Sequence, residues 1–164
     1  MPSTSESQRT AAGTVLCGGC RGHGHCRLGV GEIELVSDTI AQAPVTCATA
    51  FHAGPRVAHG GWTAAMFDDV IGRALTQRGL KVVTASLTVD FLRPVPIEEP
   101  LIVEILIDGR EGRRWSVAAT LRLLNDDAQL ARASGIWVER RDDHFDRHEL
   151  QMEAYRAMNG DTDA

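Results

Sequence analysis

The chain has 164 residues, 43% hydrophobic and 24% charged, which suits one ordinary domain with a sizeable core and a charged surface. A formal net charge of -5 speaks against a general nucleic-acid binder, which needs a basic footprint, although Arg110, Arg113 and Arg114 form a local basic cluster. No apolar run approaches a membrane span, and the first residues lack the apolar centre of a secretory leader, so a cytoplasmic protein is expected, with neither membrane nor nucleic acid as partner.

Residues 1–13 are rich in Ser and Thr without periodicity and read as a mobile tail. Residues 17–31, rich in Gly, Cys and His, read as a loop or knuckle. Short strands are expected at 32–36 and 45–51. A helix follows over 62–75, with apolar residues on nearly every face, which predicts burial. Gly79 is a good helix stop. Residues 82–92 alternate, placing Val83, Ala85, Leu87, Val89 and Phe91 on one face and Thr84, Ser86, Thr88 and Asp90 on the other. Arg93-Pro94-Val95-Pro96 ends or bends that strand. Strands are expected at 101–107, 114–124 and 129–140, separated by turns at 108–112 and 125–127. Residues 146–158 have helical composition. No internal repeat or linker is visible. One buried helix followed by an antiparallel meander predicts an α+β fold in which a sheet wraps around the helix.

The segment with the most chemical content is Phe51-His52-Ala53-Gly54-Pro55-Arg56-Val57-Ala58-His59-Gly60-Gly61. Two glycines at a helix start let a ligand approach the backbone. The first helical N–H groups lack intrahelical partners and sit at the positive end of the macrodipole, so they suit a developing oxyanion. Gly60, aided by Gly61, is the candidate donor. Asp68, on the body of the helix among Met66, Phe67, Val70 and Ile71, is a candidate general base or nucleophile. Its neighbour Asp69 lies about 100° away around the helix and is the lesser candidate, or a salt-bridge partner. His59 is a candidate for acid–base work or for holding the turn. Nine residues of helix span about 13 Å, so one chain cannot easily bring both ends to a single carbonyl. A two-fold dimer with antiparallel helices would combine the glycine end of one chain with the carboxylate of the other.

Gly54-Pro55, His59-Gly60-Gly61, Asp68, Val83-Thr84-Ala85, Phe91-Leu92-Arg93-Pro94-Val95 and Gly112-Arg113-Arg114 together resemble the hotdog-fold thioesterases, in the phenylacetate-pathway-like (PaaI-type) branch, over roughly residues 32–140. The resemblance implies a hotdog domain over 31–142, preceded by the tail and Cys-rich loop at 1–30 and followed by a helical tail at 143–164. It implies hydrolysis of an acyl-CoA thioester by a homodimer or a dimer of dimers, with no cofactor. It also implies that the Thr84 hydroxyl supports the acid or its water. A polar group is expected just before the Gly-Pro turn; Ala53 stands close to that position, and His52 is the candidate substitute. Arg93, Arg113 and Arg114 are candidates for the CoA phosphates, because guanidinium groups bind phosphate well. Trp62, Phe67 and Trp115 would line a substrate channel or fill the core. A non-catalytic acyl-CoA binder or sensor is the alternative; it would keep Gly60 and the arginines without needing Asp68.

Cys17, Cys20, His23 and Cys26 have the composition of a tetrahedral zinc knuckle, although the usual second ligand pair at a longer interval is missing. A redox pair Cys17/Cys20 and a glycine-rich cap over the substrate channel are the other readings. Cys47, alone in an apparent strand, is expected in the core.

Overall fold

Helix α1 spans Gly60–Gln77, a little more than the 62–75 pattern predicts. Trp62, Met66, Phe67, Val70, Ile71, Ala74 and Leu75 are each no more than 3% exposed. Burying one of the large side chains contributes roughly 1.5–3 kcal/mol, so α1 is the centre of the core. Arg78 caps its C-terminus and Gly79, at φ 84°, reverses the chain. The structure is a computed structural model and describes residues 16–160; the tail expected at 1–13 lies outside the described residues.

Around α1 runs a six-stranded antiparallel sheet. Its strands are β1 (Glu34–Leu35), β2 (Ile40–Val45), β5 (Val82–Phe91), β6 (Leu101–Glu111), β7 (Arg114–Leu123) and β8 (Gln129–Glu139), in the order β1-β2-β6-β7-β8-β5. A small hairpin, β3 (His52–Gly54) with β4 (Val57–Ala58), leads into α1. Helix α2 (His144–Asn159) follows the sheet and exposes Phe145, Leu150, Tyr155 and Met158.

Two expectations shift. The strand anticipated at 45–51 lies upstream, at Ile40–Val45, where Ala41, Ala43 and Val45 alternate into the core. Alanine is depleted in strands, so this one reads poorly in sequence. Residues Thr49–Phe51 form a 3-10 turn, pinned where Thr49 donates from its amide (2.5 Å) and hydroxyl (2.8 Å) to Glu98. The β6–β7 hairpin also continues past the expected turn. Asp108 is passed over by a register shift, and the reversal is Gly112-Arg113, with Gly112 at φ 58°.

The third departure bears on function. On β5, Thr84 pairs with Trp137 and Ser86 with Ile136, so Ala85 has no partner of its own on β8. This bulge inverts the alternation upstream of Ser86. Thr84 therefore shares the inner face with Trp137, instead of the outer face with Ser86, Thr88 and Asp90. Gly135 accommodates the distortion: a Cβ there would lie 2.3 Å from the Ser86 carbonyl oxygen and 2.9 Å from the Trp137 ring.

The Cys-rich segment folds over one side of α1. Trp62 Nε1 donates to the Leu28 carbonyl (3.2 Å), and Val30 bridges to Val45. Beneath it lies an ion pair, Arg73 Nε to Asp69 Oδ2 at 2.9 Å, with side chains 8% and 16% exposed. Cys26 Sγ is 3.8 Å from both partners. Burial pushes the Asp69 carboxyl above its ordinary range, while Arg73 pulls against that shift.

Gly135→Ala should cost about 1–3 kcal/mol, since the colliding atoms are backbone and a fully buried ring; a lowered urea midpoint with unchanged slope is the check. Arg73→Met should cost about 3–5 kcal/mol, by leaving Asp69 as an uncompensated buried charge. Adding Asp69→Asn to that variant should recover part of the loss in the same denaturation assay.

Candidate active site

The strand-to-helix junction at His59 is held from several directions. The His59 amide donates to the Phe51 carbonyl (2.7 Å), and its neighbour Ala58 donates to the Val95 carbonyl (2.8 Å). His59 is the N-cap of α1, with extended backbone (φ -65°, ψ 136°). Its carbonyl accepts from Trp62 (3.0 Å) and Thr63 (3.2 Å). Its ring Nδ1 accepts from the Gly61 amide at 2.9 Å. The ring thus does the work usually done by a Ser or Asp oxygen at this position.

The two glycines consequently differ. Gly61 has its N–H committed to His59, and a Cβ on it would sit 3.0 Å from that ring nitrogen. Gly60 is the first residue of the helix, and among the described residues no acceptor meets its N–H. It opens on a cleft of about 360 Å³ shared with Val57, Thr63, Phe91, Arg93 and Pro94. A donor at a helix start, beside a cleft that Arg93 also lines, is suited to an oxygen that gains negative charge.

Asp68 lies two turns along α1 and is exposed. The Thr84 hydroxyl donates to its Oδ1 at 2.5 Å, in the range of charge-assisted O–H···O bonds. The β5 bulge is what points Thr84 at the helix. Asp68 and Thr84 border a second cleft, of about 310 Å³, with Cys17, Gly72, Thr76, Val82 and Trp137 on its walls. Asp69 lines this cleft too, but it is paired with Arg73 and only 16% exposed, whereas Asp68 is exposed.

The chain therefore presents two separate clefts, one beside Gly60 and one beside Asp68. Eight residues of helix, about 12 Å, separate them. The clefts adjoin opposite ends of β5: Phe91 lines the glycine cleft, and Val82 and Thr84 line the acid cleft.

The other candidates are dispersed. His52 is exposed on β3, its Nδ1 2.8 Å from the Thr49 carbonyl. Arg93 lines the glycine cleft. Arg113 donates to the Glu139 carbonyl (3.3 Å) at the β6–β7 turn, and Arg114 is exposed beside it. Trp62 and Phe67 are core. Trp115 donates to Glu139 Oε1 (2.8 Å) beneath the Arg110 guanidinium. Cys17, Cys20, His23 and Cys26 do not converge, and among the described residues no three His, Cys, Asp or Glu side chains gather as a metal site. Cys26 instead faces Asp69 and Arg73, while Cys20 accepts from the Arg27 amide (3.4 Å). Trp137, Gly72 and Thr76 were not candidates in the sequence. The i, i+4, i+8 spacing of Asp68, Gly72 and Thr76 is the signal that links the helix residues. Trp137 reaches the cleft only through the register of β8 with Thr84.

The thioesterase superfamily model matches residues 56–127, which include the junction, Asp68 and Thr84. Acyl-coenzyme A thioesterase THEM4 of Bos taurus is 29% identical over 85 residues, covering 52% of this chain and 35% of that protein. The chain spans about a third of the length of the curated relatives it matches. Among solved structures, a thioesterase superfamily protein is 29% identical with a TM-score of 0.59, over 65% of this chain and 54% of that one. The E. coli PaaI protein from the phenylacetic acid degradation operon superposes with a TM-score of 0.62 at 20% identity, over 70% and 81% of the two chains. A hypothetical thioesterase protein of Streptococcus pneumoniae TIGR4, solved with coenzyme A, does so with a TM-score of 0.59 at 16% identity, over 65% and 86%. The helix wrapped by an antiparallel sheet and these likenesses agree that the chain has the hotdog fold, and its residues 56–127 are similar to the thioesterase superfamily.

Proposed function

We propose that the protein hydrolyses an acyl-CoA thioester in a site completed by a second copy of the chain. The observation that carries this reading is the pairing of an unoccupied helix-start N–H at Gly60 with a hydroxyl-held carboxylate at Asp68, set at the two ends of one strand. The outer edge of β5 faces no strand among the described residues, and Phe91 and Leu92 beside it are 59% and 45% exposed. An open edge strand is a template for pairing. Two copies of β5 joined antiparallel about a two-fold axis would set Phe91 of each beside Val82 of the other. The glycine cleft of one protomer would then meet the acid cleft of its partner, which removes the 12 Å gap along α1.

In such a site the thioester carbonyl oxygen accepts from Gly60 N–H, and the bond strengthens as the oxygen becomes an oxyanion. Thr84 fixes one oxygen of Asp68, leaving the other free to take a proton from an attacking water or to attack the carbonyl itself. Collapse of the tetrahedral species breaks the C–S bond and expels the CoA thiolate. Arg93, beside Gly60, is placed to meet an anionic part of the substrate. Support also comes from relatives: the bovine protein is named for acyl-coenzyme A hydrolysis, and the pneumococcal one was solved with coenzyme A. That pneumococcal protein has also been solved with an Asp and a Thr each changed to Ala, sixteen positions apart, the separation of Asp68 and Thr84 here. His59 is assigned to the cap rather than to proton transfer.

Asp68→Asn should lower thiol release from acyl-CoA esters by about a hundredfold or more while leaving the assembly intact; near-normal turnover would overturn the role, and tight ester binding without turnover in the wild type would favour the binder. Gly60→Pro removes the N–H at a first-turn position that tolerates proline, after a residue already extended. It should be inactive alone, yet mixing it with Asp68→Asn protomers should restore activity through the one intact composite site. Thr84→Ser should retain turnover within about threefold, whereas Thr84→Val should lose about tenfold or more, measured as kcat on the same ester.

A further inference from the structure

The Cys17–Cys26 segment plays no part in the proposed hydrolysis, yet it forms one wall of the acid cleft. Cys17-Gly18-Gly19-Cys20 is a tight turn in which the Cys20 amide donates to the Cys17 carbonyl at 3.0 Å. A turn of this kind holds its end Cα atoms within about 7 Å, compatible with a disulfide after small adjustment. A Cβ on Gly18 would meet nothing, so the turn has room to move on one side. Leu16, 5% exposed, anchors the chain just before it. The two thiols differ in access: Cys17 is exposed and lines the cleft with Asp68 and Thr84, whereas Cys20 is 4% exposed behind it.

We propose that Cys17 and Cys20 are a reversible dithiol–disulfide site on the wall of the acid cleft, closed by a low-molecular-weight disulfide and opened by a dithiol reductant, and that closing it weakens substrate binding. The chemistry is ordinary exchange. The Cys17 thiolate attacks one sulfur of the small disulfide, breaking its S–S bond and expelling one thiolate. The Cys20 thiolate then attacks the Cys17 sulfur of the mixed disulfide and expels the second. Two protein thiols are oxidised to one disulfide, the small disulfide is reduced to two thiols, and the two protein protons end on those thiols.

The surroundings favour this pair over the other cysteines. Burial works to raise the Cys20 thiol, but the Arg27 amide, the Cys17 thiol and the Arg27 guanidinium outweigh it and hold Cys20 below its ordinary value. Cys47, fully buried, is pushed up to about 11 by burial and then by the Glu98 charge. Burial also pushes the Cys26 thiol up, and its sulfur sits against the Asp69–Arg73 pair. The Cys17 and Cys20 thiols are already neighbours, and closing the bond draws the sulfurs to about 2.05 Å, which takes the free Cys17 thiol out of the cleft wall. Asp68 and Thr84 lie on α1 and β5 and do not move with that turn, so the change should fall on binding rather than on chemistry.

The binding effect rests on the thioesterase reading; the disulfide itself does not. The full chain is equilibrated with glutathione disulfide, quenched in acid, alkylated and digested with trypsin, and the peptide covering residues 10–21 is weighed. The expected result is that peptide with an internal disulfide, short by two hydrogens and reversed by dithiothreitol, while Cys26 and Cys47 are recovered alkylated. Cys20→Ser should trap glutathione on Cys17, and Cys17→Ser should form neither product. Oxidised wild type should show a KM raised at least threefold with kcat within twofold. A mixed disulfide on Cys17 that persists in the wild type, or a closed disulfide with unchanged KM, overturns the proposal. If the reduced protein releases no thiol from any ester, the hydrolase reading fails; the peptide mass still decides the dithiol site, and calorimetric binding of an acyl-CoA to both forms decides the effect on the cleft.

Discussion

A helix with apolar side chains on nearly every face cannot rest against a flat sheet; the sheet must curl to reach its flanks. α1 imposes this condition. Seven of its apolar side chains are almost wholly buried, and they share one core with Ala41, Ala43, Val103, Ile105, Val117, Ala119, Leu121 and Trp137 from the sheet. The helix comes nearest to β5, and the Cys-rich segment covers another side of it, with Trp62 bonded to Leu28. What is left open on the helix is a strip that runs through Gly61, Ala65, Asp68, Gly72 and Thr76.

Adjacent polar residues on that helix are sorted by where this covering falls. Asp69 sits against Cys26 of the Cys-rich segment and also lines the cleft, and its burial is offset by Arg73 one turn on. Asp68, about 100° around the axis, is exposed and is held by Thr84. The same division separates the two glycines. Gly61 is small so that the His59 ring can fold back and cap the helix, and Gly60 is left with a free donor as a result. One side-chain cap thus decides which of two neighbouring amides can meet a ligand.

The bulge at Ala85 links fold to site. A strand that alternated without interruption would put Thr84 on the outer face of the sheet, out of reach of the helix. One unpaired residue turns it inward, and Gly135 on the neighbouring strand leaves the space for that distortion. Among the described residues the same irregular strand is an edge of the sheet, and its inner face carries the Thr84 hydroxyl.

The sequence by itself determined the buried helix and most of the meander, because an all-round apolar period over 62–75 and repeated alternation between turn residues have few other solutions. It also pointed to Gly60 and Asp68, because helix-start amides and a carboxylate among apolar neighbours carry local signals. Its reading of β2 failed because two alanines pack well there without announcing a strand. Only the tertiary structure decided that Thr84 faces Asp68, that His59 is a cap, that Asp69 is paired, and that Cys17 borders the cleft while Cys26 does not join it. These depend on register between β5 and β8 and on which side of α1 the first segment covers. Both are set by contacts between residues more than forty positions apart, which leave no periodicity in the chain itself.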